Sequence, residues 1–326
     1  MQNFQLVRPT SVADATAAIM APNAAYIAGG TDLIQLMKQE VERPTLLVDL
    51  EGVLPDTIEV RPDGVRIGAF ARMADVAAHP EIRRNYPAVS QALLSAASPQ
   101  VRNMGTIGGN LLQRTRCGYF RDPGFPACNK RESGSGCGAR QGANRLLGVF
   151  GNSPDCIATH PSDMPVALSA LDAAIELRAP NGVQRTVALD DFFRTPGNTP
   201  QIENVLQPGE LIVAVVVPAS PAARNSHYVK IRDRASFEFA LVSCAIALDV
   251  QNGRVNDLRL ALGGVAQKPW RLPHIETALR GQPATPESFA NAAARAGEGA
   301  QPASENAFKV TLAQRAVRRA LEIASA

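Results

Sequence analysis

The chain has 326 residues, 45% of them hydrophobic and 19% charged, with 33 Lys and Arg against 30 Asp and Glu for a formal net charge of +3. That composition is globular and gives enough apolar material for two or three domains of ordinary size. The small net charge and the aromatic residues, which do not interleave with basic clusters, argue against a nucleic-acid surface, and no run approaches the roughly 20 apolar residues of a membrane helix.

The opening stretch MQNFQLVRPTSVADATAAIM has no basic region followed by a continuous apolar run, so a chain without an export signal of its own is expected. Residues 24–28, AAYIA, read as a short buried strand; GGTDL follows, and LIQLMKQEV then has helical spacing of its apolar residues. A strand, a glycine turn and a helix form an anion cradle. Gly29 and Gly30 let backbone N–H groups approach a phosphate, and the helix start adds its positive dipole end. The same residues also read as a plain turn, with Thr31 or Asp32 as helix cap. EIRRNYPAVSQALLSAAS is helical and leads into VRNMGTIGGNLL, a second glycine-rich turn with Gly105, Gly108, Gly109 and Asn110. Two such turns point to a bound diphosphate. Neither matches GxGxxG or GxxxxGK[ST], which argues against a Rossmann nicotinamide site and against ATP hydrolysis.

Residues 116–145, RCGYFRDPGFPACNKRESGSGCGARQGANR, show neither helical nor strand periodicity and hold three cysteines, with a fourth just beyond. Cys117, Cys128, Cys137 and Cys156 are separated by ten, eight and eighteen residues. Four thiols make either two disulfides or one four-ligand metal site. A chain of this size needs no staples, and a reducing compartment would not keep them. Structural zinc usually draws on CxxC pairs, which are missing here, whereas an iron-sulfur cluster tolerates wide gaps. Seven basic residues between Arg114 and Arg145 face two acidic ones, Asp122 and Glu132, which suits an anionic thiolate cluster and also a solvated basic loop. Long irregular loops are enriched in function, so metal ligation is the expected role. Cys244, in the apolar run ALVSCAIALDV, reads as a small buried hydrophobe.

Further along, Ser162 or Asp163 is placed to cap the helical MPVALSALDA. AAIELRAPNGVQRTVAL splits at Asn181-Gly182 into two alternating runs, and SCAIALDVQNGRVNDLRLALGG does the same at Asn252-Gly253, both hairpin signals. PASPAARNSH marks a domain boundary, and FKVTLAQRAVRRALEIA has i, i+3, i+4 spacing. The expected class is α+β, with one domain over residues 1–220, a cysteine-bearing loop at about 114–156, and a smaller domain over 224–326 with a three-stranded antiparallel sheet and helices. The four histidines show no metal-ligand spacing, and no Ser/His/Asp or paired-carboxylate arrangement stands out, so no catalytic side chain is expected.

AGGTDL, GTIGGNL, HPSDMPVALSALDA, LDDFF, LQPGELI and KIRDRASFEFALVSCAIAL occur in the order found in the FAD-binding subunits of the xanthine dehydrogenase and molybdenum hydroxylase family. The chain resembles that family over essentially its whole length. The cysteine-bearing insertion departs from most members and is similar to the branch serving bacterial periplasmic aldehyde oxidoreductases, which carries a 4Fe-4S cluster. The resemblance implies that Tyr26, Ile27, Ala28, Gly29, Gly30, Thr31, Asp32, Leu33 and Ile34 wrap the FAD diphosphate, and that Thr106, Gly109 and Asn110 form a second flavin contact. It further implies that Asp163 bonds the sugar or adenine side, that Lys230 lies near the isoalloxazine, and that Cys117, Cys128, Cys137 and Cys156 ligate the cluster. Lys230 also reads as an ordinary surface lysine.

By the same resemblance this is an electron-transfer flavoprotein subunit. It would take electrons from a small 2Fe-2S subunit, beside a large molybdenum-cofactor subunit that oxidises the aldehyde, and pass them to an external acceptor. Location would follow the partners: periplasmic by co-export with a signal-bearing subunit, or else cytoplasmic. Two other readings remain at this point. A self-sufficient flavin oxidase would need a base beside the flavin, and a non-enzymatic iron-sulfur or zinc scaffold would leave both glycine turns without a task.

Overall fold

Alternating apolar runs between glycine turns become strands, and these gather into three sheets in the computed structural model, which describes residues 1–326. The first sheet is parallel, with β1 (Gln5–Val7), β2 (Ala24–Ile27) and β3 (Leu46–Asp49) in the order β1-β3-β2. Parallel neighbours need crossovers, and the helices Val12–Ala18 and Leu33–Lys38 supply them. The second sheet takes β4 (Ile58–Arg61), β5 (Gly64–Gly68), β6 (Ala174–Arg178), β7 (Gln184–Ala188) and β8 (Leu211–Pro218) in the antiparallel order β4-β5-β8-β6-β7.

The third sheet, β9 (Ser226–Ile231), β10 (Val242–Gln251), β11 (Arg254–Gly263) and β12 (Trp270–Arg271), is antiparallel in the order β12-β11-β10-β9. It therefore has four strands rather than the three expected. The extra strand is two residues long, pairing Trp270 with Leu262 and Arg271 with Ala261, too short to show an alternating pattern. Both hairpins form where Asn-Gly stands. At the second, Asn252 and Gly253 take φ of 50° and 72°, the paired positive angles of a type I′ turn.

EIRRNYPAVSQALLSAAS is two helices, Pro80–Asn85 and Pro87–Ser95, instead of one. Proline disfavours helical geometry in the residue before it, and Tyr86 sits at φ −140°, ψ 51°. Gly108, Gly109 and Asn110 lie within a short helix, Ile107–Leu111, rather than in an open turn. One apolar cluster of 44 residues fills the N-terminal part, and a second of 25 packs the third sheet against the final helix, Phe308–Ala324. That helix buries Ala313, Ala316, Val317, Ala320, Leu321 and Ala324, the single face its spacing predicts.

Between Leu111 and Met164 regular structure is limited to a helix at Gly118–Arg121 and a 3-10 turn at Gly138–Arg140. Even so, the segment builds its own nine-residue apolar cluster from Cys117, Phe120, Cys128, Ala139, Leu147, Cys156, Ile157 and Ala158 together with Leu36. No helix is long and apolar enough to cross a membrane.

Candidate cofactor sites

A cavity of about 600 Å³ opens where the two glycine segments meet. Tyr26 to Leu33, Thr106, Gly109, Asn110, Asp163 and Lys230 all line it, whereas Ile34 falls outside its wall and is 39% exposed. The turn after β2 offers what an anion needs. None of the N–H groups of Gly29, Gly30, Thr31, Asp32 and Leu33 donates a hydrogen bond within the protein. Consecutive free N–H groups in a turn form a nest for phosphate oxygens. Gly30 has φ +68°, a left-handed conformation that glycine adopts without cost. Gly29 is required for a different reason: a Cβ there would stand 2.0 Å from the Met104 carbonyl oxygen. The two glycine segments pack backbone to backbone at that point.

The second segment is not a nest. Gly108 N–H donates to Ala69 O, Ile107 N–H to Ala71 O, Asn110 N–H to Thr106 O, and Gly109 N–H to the Thr106 hydroxyl. The N–H groups of residues 107–110 are spent on the fold, whereas the Thr106 N–H donates to nothing within the protein and its hydroxyl caps the helix. Sequence reasoning treated the two glycine segments as equivalent because glycine content does not report where N–H groups are aimed.

Asp163 does not cap the helix Met164–Ala170, since its side chain makes no bond to that helix's N–H groups. Its Oδ2 lies 2.8 Å from Lys230 Nζ, and its Oδ1 accepts from the Tyr228 hydroxyl at 2.5 Å. Lys230 also donates to Ser95 O at 3.1 Å. With the Asp163 and Lys230 side chains each 4% exposed, this is a buried ion pair joining the N-terminal part to β9. Burial raises the Asp163 carboxyl, and the Lys230 ammonium opposes that shift. Lys230 is thus no surface residue, and both groups line the cavity already engaged with each other. Arg114, Arg116 and Phe239, which sequence reasoning had not placed there, complete one wall, with the Arg116 guanidinium over the Phe239 ring at 4.9 Å.

The four cysteines come together. Cys117, Cys128, Cys137 and Cys156 line one small pocket, of about 10 Å³, with Lys130 and Asn129 beside them, and Cys128 bridges Cys137 in antiparallel register. All five cysteines are free thiols, and no three side chains of metal-ligating type are arranged around a single ion. The donor set is nonetheless all sulfur, the soft kind that iron-sulfur clusters and zinc select. Burial pushes Cys117 up to about 11 and Cys156 up to about 12, so metal ligation must displace protons. Lys130, 1% exposed, donates to Pro200 O, Glu203 Oε1 and Gln267 Oε1 at 2.7, 2.6 and 3.0 Å. Cys244 stands apart, fully buried in β10.

His160 stands between the two sites. Its Nε2 meets Leu111 O at 3.1 Å and its Nδ1 accepts from Ser162 N–H, so the ring is the neutral Nε2–H tautomer. Burial lowers its pKa to about 4.

Residues 2–220 match the FAD binding domain in molybdopterin dehydrogenase, and residues 227–324 match the CO dehydrogenase flavoprotein C-terminal domain. The chain is 48% identical over 330 residues to the aldehyde oxidoreductase FAD-binding subunit PaoB of Escherichia coli strain K12, covering 100% of this chain and 99% of that one. It is 28% identical over 335 residues to the carbon monoxide dehydrogenase medium chain of Afipia carboxidovorans, covering 99% and 97%. Among solved structures, carbon monoxide dehydrogenase from Hydrogenophaga pseudoflava superimposes with a TM-score of 0.76 at 28% identity over 99% of this chain and 97% of that chain. With two family descriptions spanning nearly its whole length and a relative near half identity, the chain belongs to the FAD-binding subunits of the molybdenum hydroxylase family of oxidoreductases.

Proposed function

We propose that this flavoprotein is the electron-transfer subunit of an aldehyde-oxidising molybdenum enzyme and that it holds a 4Fe-4S cluster on Cys117, Cys128, Cys137 and Cys156 beside its FAD. The observation that carries the reading is the row of free N–H groups from Gly29 to Leu33 in the wall of the 600 Å³ cavity, next to a pocket walled by all four loop cysteines. Near-half identity to an aldehyde oxidoreductase FAD-binding subunit supports the substrate class. Electrons would come from a small 2Fe-2S subunit, with aldehyde oxidation in a large molybdenum subunit, and leave to an external acceptor. The domain division falls at residues 220–224, and export to the periplasm would be by passage with a signal-bearing partner.

The flavin supplies the redox chemistry when bound. The chain's own residues do the rest. The 29–33 N–H groups hold the diphosphate. Asn110, whose amide donates to Met73 Sδ and whose Oδ1 accepts from Ser162, presents a side chain fixed on both sides to the cavity. Lys230 would stand in the wall around the bound flavin as a buried ammonium whose charge is largely offset by Asp163, so the pair would fix the shape of the wall more than its charge. Asp163 is not free to act as a base, since its Oδ1 accepts from the Tyr228 hydroxyl and its Oδ2 from Lys230.

The purified complex should contain one FAD and about four irons in this chain, as that cluster type requires. Cys128→Ala should lose this iron while Cys244→Ala keeps it. Zinc in stoichiometric amount, or a chain free of iron after anaerobic purification, would overturn the cluster assignment and leave the flavin assignment standing.

A further inference from the structure

Asp32 belongs to two places at once. It stands in the flavin cavity wall as the last residue before the helix Leu33–Lys38, and its carboxylate is turned to the start of the cysteine loop. Oδ2 accepts from the Arg114 N–H at 2.8 Å, while Oδ1 lies 2.8 Å from Arg116 Nη1 and 2.6 Å from Arg121 Nη2. These three donors come from residues 114–121, the stretch that carries Cys117. The cluster is largely shielded, with Asp32 16% and Arg121 11% exposed at the side chain, so its charges are poorly screened. From Arg114 the ionic contacts run on to Glu42 and Glu203 at 2.7 and 2.8 Å, and from Glu203 to Lys130 in the wall of the cysteine pocket at 2.6 Å.

This arrangement answers a difficulty in reading Asp32 as a direct flavin contact. A carboxylate beside a diphosphate nest would repel the ligand, whereas one carrying two guanidinium groups leaves net positive charge at the turn. The Asp32 backbone N–H remains free for the ligand while its side chain faces the loop.

We propose that Asp32 is a positioning residue that couples the two cofactor sites. A diphosphate on the 29–33 N–H groups holds the turn, the turn holds the carboxylate, and the carboxylate holds residues 114–121 closed around the cysteines. Linkage is reciprocal, so a formed cysteine site tightens FAD by the same factor that bound FAD stabilises the cysteine site. The inference rests on the FAD and cluster reading given above.

The test measures FAD dissociation from the purified complex before and after chelation of the chain's iron, and iron loss to the chelator with and without FAD. Wild-type protein should lose FAD affinity roughly five-fold or more when its cluster is removed, the usual scale of such couplings. Arg121→Gln is the decisive variant because Arg121 does not line the flavin cavity. It should weaken FAD and abolish the further weakening on iron removal, and Asp32→Asn should do the same. Wild-type FAD affinity with the full iron dependence in Arg121→Gln would overturn the coupling, and that variant carries the test if Asp32→Asn does not fold. A wild-type chain that binds FAD but never iron would overturn the cluster reading first, and the coupling with it.

Discussion

The proposed flavin cradle and the cysteine loop lie side by side and are built by opposite means. The cradle comes from regular elements whose turn leaves its N–H groups unspent. The loop has almost no regular structure and turns its polar groups inward: Asn129 and Gly136 exchange hydrogen bonds, Arg131 gathers the Tyr119 and Phe120 carbonyls, and Asn144 bridges Ala139, Gly142 and Ser304. From the final helix and the segment before it, Lys309 and Asn306 reach back to the carbonyls of residues 144–148. A site for a polar, exchangeable ligand can leave donors to water until the ligand arrives. A segment poor in apolar surface cannot, and must satisfy its backbone with side chains.

The largest effect should come from breaking the backbone-built side. Gly29→Ala places a methyl 2.0 Å from the Met104 oxygen, a clash with main chain that no rotamer relieves. A destabilisation of about 3 kcal/mol or more is expected, with loss of FAD, because the two glycine segments must separate. Gly30→Val is a poorer probe, since strain at φ +68° and a 2.8 Å approach to Ile34 would disturb the turn whether or not FAD binds there. Retention of stoichiometric FAD and an unchanged melting temperature in Gly29→Ala would refute the packing argument.

Next comes the side-chain-built half. Asn306 is fully buried, donates to the Asn144, Leu147 and Gly148 carbonyls, and accepts from Ala303 N–H. Asn306→Ala leaves those groups unpaired, which costs about 2 kcal/mol. Hydrogen exchange should rise across residues 139–148 while FAD stays bound; exchange confined to the final helix would show that the loop holds itself.

The same contrast explains what was legible in the sequence. AAYIAGGTDL and the Asn-Gly hairpins follow local rules in which a few residues set their own backbone, and they appear where the sequence puts them. The loop cysteines were legible as a group because thiols in an irregular basic segment are chemically conspicuous. Their surroundings were not, because Asn306, Lys309, Glu203 and Asp32 reach them from distant positions with no periodic signal. The saturated N–H groups of Ile107 and Gly108 escaped for a related reason: their acceptors, Ala71 and Ala69, follow β5, some forty residues earlier. β12 was missed because two residues hold no pattern.

Acid should act at the seam between the two regions. His160, neutral at a pKa of about 4, has Glu203 favouring its charged form and Lys130 and Arg116 opposing it. Its folded value lies below the unfolded value of roughly 6.5, so the unfolded chain takes up the proton first as pH falls. The stability contributed by the neutral ring is therefore complete above about pH 6.5 and is lost between there and pH 4, at no more than about 1.4 kcal/mol per pH unit. His160→Gln keeps a donor for the Leu111 carbonyl and cannot titrate. Denaturant midpoints measured from pH 7 to 4 should fall less steeply in that variant, and parallel curves would assign the acid sensitivity elsewhere.

The smallest effect separates buried stitching from surface charge. Arg145, in the loop, makes two bonds to Asp233, at 2.8 and 3.0 Å, the best-formed ion pair between the loop and residues 232–240. By geometry alone it ranks with the contacts of Asp32. Both partners are about half exposed, however, so water solvates each charge nearly as well as the other does, and the side-chain order needed to hold the pair offsets what remains. Asp233→Asn removes the charge without touching the Arg145 stacking on Phe308 at 5.2 Å. It should leave the melting temperature, the FAD content and the exchange of residues 139–148 within experimental error, at low salt as well as at physiological salt. If instead it opens the loop as Asn306→Ala does, the surface pair holds the segment, and the view that its order comes from buried bonds to carbonyls is wrong.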